Sequence, residues 1–181
     1  MNKPSFFFKG DYVKKEEAIF IPHIYQMYIF ARALRIAGIT LEYTQGFNPR
    51  PKVRFVFPLS VGVAGENEMF FFFSENRDLK IEDINNSLPK GLKISKIEEF
   101  ENRKFSENDI SSGIFEFLLK KTYTTDLTSM PEEFEILSEK DNCFRVKFYY
   151  KRGVKFWDMI KFFSGGERFE NVDFIKRLNL I

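Results

Sequence analysis

With 181 residues, 44% of them hydrophobic and 30% charged, the chain has enough apolar material for one ordinary domain or two small ones, and its balance is not that of a disordered segment. The net charge of +2 excludes a global field that steers nucleic acid, so any such partner must be met by a local patch. One cysteine, Cys143, and one histidine, His23, exclude an internal disulfide, a Cys/His zinc site and an iron–sulfur cluster held by this chain alone.

In chain order, Ser5–Phe8 reads as a strand and Lys9–Ala18 as a polar loop. Pro22 suits the first turn of a helix, whose stripe is Ile24, Met27, Tyr28, Ala31, Leu34 and Gly38. Arg32 and Arg35 share an adjacent face. Ile39–Tyr43 alternates as a strand. After it comes a turn-rich loop, Thr44-Gln45-Gly46-Phe47-Asn48-Pro49-Arg50-Pro51-Lys52. A strand at Val53–Phe57 follows, with Val53 and Phe55 on one side and Lys52 and Arg54 on the other. Glu68–Phe73 is apolar enough to expect cover on both faces. Asp78–Leu88 reads as a short helix and Leu92–Ile97 as a strand. Strand, helix, strand, strand, helix, strand is the split βαβ order, which predicts a four-stranded antiparallel sheet with two helices on one face.

Residues 101–112 lack apolar periodicity and read as a linker. Strands follow at Ile114–Leu119, Phe134–Leu137 and Phe144–Tyr150, with no convincing helix in Thr122–Pro131. A helix at Phe156–Phe163 is closed by Gly165-Gly166, and Val172–Leu180 is a last strand. The fold expected is therefore α+β: tandem ferredoxin-like modules with antiparallel sheets and helices on one face, at residues 1–100 and 113–181, the second degenerate through loss of its first helix.

The most specific stretch is the loop. Between residues 22 and 58 stand five cations, Arg32, Arg35, Arg50, Lys52 and Arg54, against one acid, Glu42. Gln45 and Asn48 add amides and Phe47 a stacking face. Cations for phosphates beside an aromatic for a base are what RNA binding needs. A protein-docking surface and a loop that merely turns the chain are the alternatives. His23 is either a general base or a helix-start histidine satisfied by backbone and solvent. Arg145, Lys147 and Lys151 with Tyr149 either extend a binding surface or guard a strand against edge pairing. Gly62-Val63-Ala64-Gly65 lacks the Lys-Ser/Thr of a phosphate loop and reads as a turn. Glu66 and Glu68, two apart on a strand, are expected to share a face, and neither carries an evident chemistry. Cys143 reads as structural.

Phe20-Ile21-Pro22-His23, Ala31-Arg32-Ala33-Leu34-Arg35-Ile36-Ala37-Gly38-Ile39, Tyr43 through Lys52, and Pro58-Leu59-Ser60-Val61-Gly62-Val63 together resemble the radical-SAM-linked protein family. This is a bacterial domain of unknown function encoded beside, or fused to, radical SAM proteins. The resemblance spans about residues 3–100 and weakens beyond. It departs at Pro22-His23-Ile24-Tyr25, where the family usually has Ser-His-Leu-Asp, and at Arg50, where the family usually has His. The resemblance implies a partner that holds an iron–sulfur cluster and S-adenosylmethionine; for this chain itself, with its one cysteine and one histidine, no cofactor and no metal are expected.

The expectation is a non-catalytic accessory module. It binds RNA or another phosphorylated ligand through Arg32, Arg35, Gln45, Phe47, Asn48, Arg50, Lys52 and Arg54, and works with a radical SAM modifying enzyme. The alternatives are a metal-independent RNA-processing enzyme using His23 and Arg50, and a pure docking adaptor. Met1 is followed by Asn2-Lys3-Pro4 rather than an apolar leader, and Met69–Phe73 is the longest apolar run, so a soluble cytoplasmic protein is expected.

Overall fold

The structure, a computed structural model, describes residues 5–122, 125–150, 155–165 and 171–181. The chain divides into two compact units, Met1–Glu107 and Asn108–Ile181. Both are α+β, built on antiparallel strands with few helices.

The first unit runs β1 (Phe6–Lys14), α1 (His23–Ile36), β2 (Val53–Phe55), β3 (Ala64–Ser74), α2 (Ile81–Asn85) and β4 (Leu92–Glu99). β1 pairs antiparallel with both β3 and β4, and β2 pairs antiparallel with β3, in the spatial order β4-β1-β3-β2. The expected element order is present, and the strands of this unit pair antiparallel. Both helices pack on one face, where Phe30, Ala33 and Leu34 of α1 and Ile84 of α2 meet Phe8, Tyr12, Phe55, Phe70, Phe72 and Ile94. Phe30 lies edge-on to Tyr12, Phe55 and Phe70, a geometry that aligns positive ring edges with negative ring faces.

The opposite face is also covered, as expected for β3. Phe71 and Phe73 pack with Phe7, and Phe100 and Phe105 close over Phe71. Phe105 lies in the segment read as a linker.

Several expectations are corrected. Lys9–Ala18 is not a loop: β1 continues to Lys14, and a 3-10 turn spans Glu16–Phe20. Gly10 misleads because it resembles a turn former. It sits mid-strand opposite Phe70, and a Cβ there would lie 2.1 Å from that ring. The missing side chain makes room for an aromatic across the ladder. The stripe read on α1 is also rotated. The buried residues are Gln26, Phe30, Ala31, Ala33 and Leu34, while Ile24, Tyr25, Tyr28 and Ile36 are exposed. Ile39–Tyr43 forms isolated bridges rather than a strand, Leu41 with Ser74 and Tyr43 with Pro51, and Pro51 has no N–H to give to a ladder. The helix expected over Asp78–Leu88 is confined to Ile81–Asn85. Gly38 ends α1 as expected: Ile39 N–H donates to the Leu34 carbonyl and Gly38 N–H to that of Arg35, both at 3.0 Å, a Schellman closure.

The second unit has β5 (Ser112–Leu119), β6 (Phe134–Lys140), β7 (Cys143–Tyr149), α3 (Phe156–Ser164) and β8 (Val172–Leu180), ordered β8-β5-β7-β6, all antiparallel. Phe163 of α3 stacks on Phe117 at 4.7 Å and packs on Phe144. Between β5 and β6 the described residues hold a 3-10 turn, Leu127–Ser129. Gly165 closes α3; Gly166 and Lys151 lie outside the described residues.

Gly10→Ala is expected to lower stability by about 1–3 kcal/mol through overpacking against Phe70. Urea denaturation should show a lower midpoint with an unchanged slope, and Gly10→Ala combined with Phe70→Leu should recover part of the loss.

Candidate functional site

The loop from Thr44 to Arg50 is exposed throughout yet pinned at its base. Thr44 N–H donates to the Arg50 carbonyl at 2.8 Å, Arg50 N–H donates to Thr44 Oγ1 at 3.0 Å, and Tyr43 bridges Pro51. At its tip Phe47 is fully solvent-exposed, at 103% of its reference area. Leaving a phenylalanine in water forgoes roughly 1.5–3 kcal/mol of burial. Gln45 and Asn48 beside it are exposed as well.

The cations divide between the two sides of β2. Lys52 pairs with Glu42 at 2.9 Å and lies over the Phe73 ring. Arg54 spreads over Phe7 and Phe71 and donates to the Phe105 carbonyl. Both belong to the face away from the helices, as the pleat requires, since Val53 and Phe55 point into the helix side. Arg50 goes the other way. With Pro51 and Val53 it lines a small cavity of about 30 Å³ against Met27, Tyr28 and Ala31 of α1.

Arg32 and Arg35 follow Tyr28 on the exposed arc of that helix, and Arg35 Nε donates to the Ala31 carbonyl at 3.3 Å. α1 carries no acidic residue anywhere along its length. Arg32 and Arg35 thus lie on the exposed arc of α1 and Arg50 lines the cavity against that helix, while Lys52 and Arg54 lie on the other side of β2.

His23 opens α1, half-buried, its ring edge-on to Phe55 at 5.5 Å between centroids. Burial, then the charge of Lys14, pushes its pKa below the usual histidine value, so the imidazole is neutral at pH 7. Behind it lies a polar cluster that the sequence reading passed over. Lys14 is completely buried (0% exposed) and donates from Nζ to the Ile21 carbonyl at 2.9 Å. Burial lowers its pKa to about 8, partly opposed by the charge of Glu68.

Glu68 is buried too, and Gly65 leaves space for it: a Cβ on Gly65 would fall 2.7 Å from Glu68 Oε1. Gln26 donates to the Tyr12 hydroxyl at 2.8 Å beside them. Glu66 and Glu68 do not share a face as expected. The ladder pairs Tyr12 with Glu68 but Lys14 with Gly65, so a bulge on β3 leaves Glu66 exposed and turns Glu68 inward. One signal was available. Glu68, Phe70 and Phe72 are spaced for one strand face, and a carboxylate on a core face calls for a buried counter-charge.

In the second unit the basic stripe is engaged locally. Glu116 holds Arg145 at 3.0 Å and Lys176 at 3.4 Å, and Lys147 lies over the Tyr149 ring. Burial, then the charge of Glu116, raises the Cys143 thiol above its usual pKa, which disfavours a nucleophilic thiolate. Among the described residues no three His, Cys, Asp or Glu side chains converge as a metal site, and no helix is long and apolar enough to cross a membrane.

Residues 8–162 match the family described as an uncharacterized protein conserved in bacteria (DUF2344). The chain belongs to that family. No curated protein matches this DUF2344 member. Among solved structures, the acetolactate synthase small subunit from Thermotoga maritima aligns over 98% of this chain and 95% of its own, at 10% identity and a TM-score of 0.29. At that score the likeness says nothing of function.

Two outcomes follow for the buried cluster. The unfolded chain holds the Lys14 proton up to about pH 10.5 and the folded chain only to about pH 8. Between these values the unfolded state binds more protons, so stability rises with pH across that window. Urea denaturation at stepped pH should show this rise in the parent and not in Lys14→Met. At pH 7, Lys14→Met removes the hydrogen bond to the Ile21 carbonyl and the cation whose charge acts on Glu68, and should cost about 1–3 kcal/mol. Lys14→Met with Glu68→Leu should recover most of it.

Proposed function

We propose that this chain is a non-catalytic accessory module that binds an RNA-type ligand and works with a radical SAM modifying enzyme, in the cytoplasm. The observation that carries the binding reading is Phe47, held fully exposed on the pinned loop that ends at Arg50, with Arg32 and Arg35 on the acid-free helix that Arg50 packs against. Folding does not need that ring where it is, whereas a base stacked on it would cover it. The guanidinium groups of Arg32 and Arg50 meet no carboxylate among the described residues, which leaves them for phosphates. The radical SAM partner is what the motifs from Phe20 through Val63 imply by resemblance. We read the two units as tandem ferredoxin-like modules, because the strand orders β4-β1-β3-β2 and β8-β5-β7-β6 repeat one pattern.

A docking adaptor is the second reading. It is supported by the exposed Phe20, Ile24 and Ile36, aliphatic and aromatic groups that suit a protein surface better than a nucleic acid.

Ultraviolet crosslinking from cells expressing the tagged chain should recover RNA, and Arg32→Ala with Arg50→Ala should abolish that recovery while melting temperature holds. Recovery of a radical SAM protein after nuclease treatment, with no RNA crosslinked in untreated cells, would favour the adaptor instead.

A further inference from the structure

We infer that the RNA taken by this surface is single-stranded, with unpaired bases laid on Phe47 and Tyr28 and phosphates met by Arg32, Arg35 and Arg50; the inference rests on the RNA reading above. Phe47 stands clear of the protein on a loop whose two ends are bonded together, so its ring projects rather than folding back. A projecting ring has no partner on a duplex, where every base face is already stacked, but it offers a platform to a splayed base. Tyr28 supplies a second exposed ring across the cavity that Arg50 lines.

The cations support the same class of ligand. Duplex RNA is held by shape across successive grooves, a span of about 16 base pairs. Lys52 and Arg54, which would widen the basic surface, are committed to Glu42 and to the rings of Phe7, Phe71 and Phe73. What remains is short: three arginines along one helix and one loop. Charge complementarity favours an anionic ligand over a neutral or basic one, because α1 carries no carboxylate and Glu42 is paired with Lys52.

The test is fluorescence anisotropy on the full chain. The probes are a labelled oligouridine of roughly ten nucleotides and a labelled mixed-sequence RNA duplex of about 16 base pairs. The single strand should bind at least about tenfold more tightly than the duplex. Phe47→Ala should weaken the single strand about tenfold or more, Phe47→Trp should restore it, and neither should change duplex binding or melting temperature. For three phosphates the slope of log K against log salt should be about −2. A slope near −3.5, the value for about five phosphates, would overturn the three-arginine assignment. Equal binding of duplex and single strand, indifferent to Phe47→Ala, would overturn the single-strand inference and leave the RNA reading standing. Failure of both probes to bind would overturn the RNA reading and this inference with it.

Discussion

A run of four phenylalanines on β3, Phe70 to Phe73, is the constraint on which the rest of the first unit depends. Alternation sends Phe70 and Phe72 to one face and Phe71 and Phe73 to the other, so both faces of the strand must be kept from water. α1 and α2 cover the first. Phe7, Phe100, Phe105 and the flat guanidinium of Arg54 cover Phe71 on the second. That second demand decides the fate of the basic loop. Cations in register with β3 become lids over aromatic rings, where the ring quadrupole and the apolar stems both favour them. Arg50, placed before the strand begins, is left to the helix side.

The same ladder explains the buried charges. A slip of β1 by one residue would turn Tyr12 and Lys14 outward and leave Glu68 facing an apolar wall. The bulge opposite Tyr12 and Lys14, with the open space over Gly65, brings Glu68 to Lys14 without such a slip. Burying Lys14 costs desolvation, visible in its lowered pKa, and a slipped register would take from Glu68 the charge that acts on it. His23 sits at the edge of this cluster, so its neutral state reflects a neighbouring cation and a packed ring as much as any chemistry of its own.

Most of the fold was legible because strand periodicity survives wherever one face is apolar. β8 is present over the residues expected, and β5, β7 and α3 differ by a residue or two at their ends. What was hidden shares a cause: a residue type standing in for a partner far along the chain. Gly10 reads as a turn until Phe70 is placed across from it. Lys14 reads as solvated until Glu68 faces it. Arg54 reads as a free cation until Phe71 and Phe105 lie beneath it. The sequence groups Lys52 and Arg54 with Arg32, Arg35 and Arg50, because nothing local tells a cation that covers a ring from one that faces water.

The helix gives the remaining step. The stripe read on α1 is rotated because the helix is apolar nearly all round: Phe30, Ala33 and Leu34 lie inward, and Ile24, Tyr25, Tyr28 and Ile36 lie outward. A helix of that kind belongs inside something larger, or against it. Folding does not demand the outward residues, since polar side chains there would leave the core untouched. Covering them would take a ligand or partner, and on the proposed reading the arginines interleaved with them narrow which. Two guanidiniums on an acid-free helix repel a second copy of the same surface and attract a polyanion. On the proposed reading, Tyr28 and Phe47 would supply the flat faces on which the bases of such a polyanion stack.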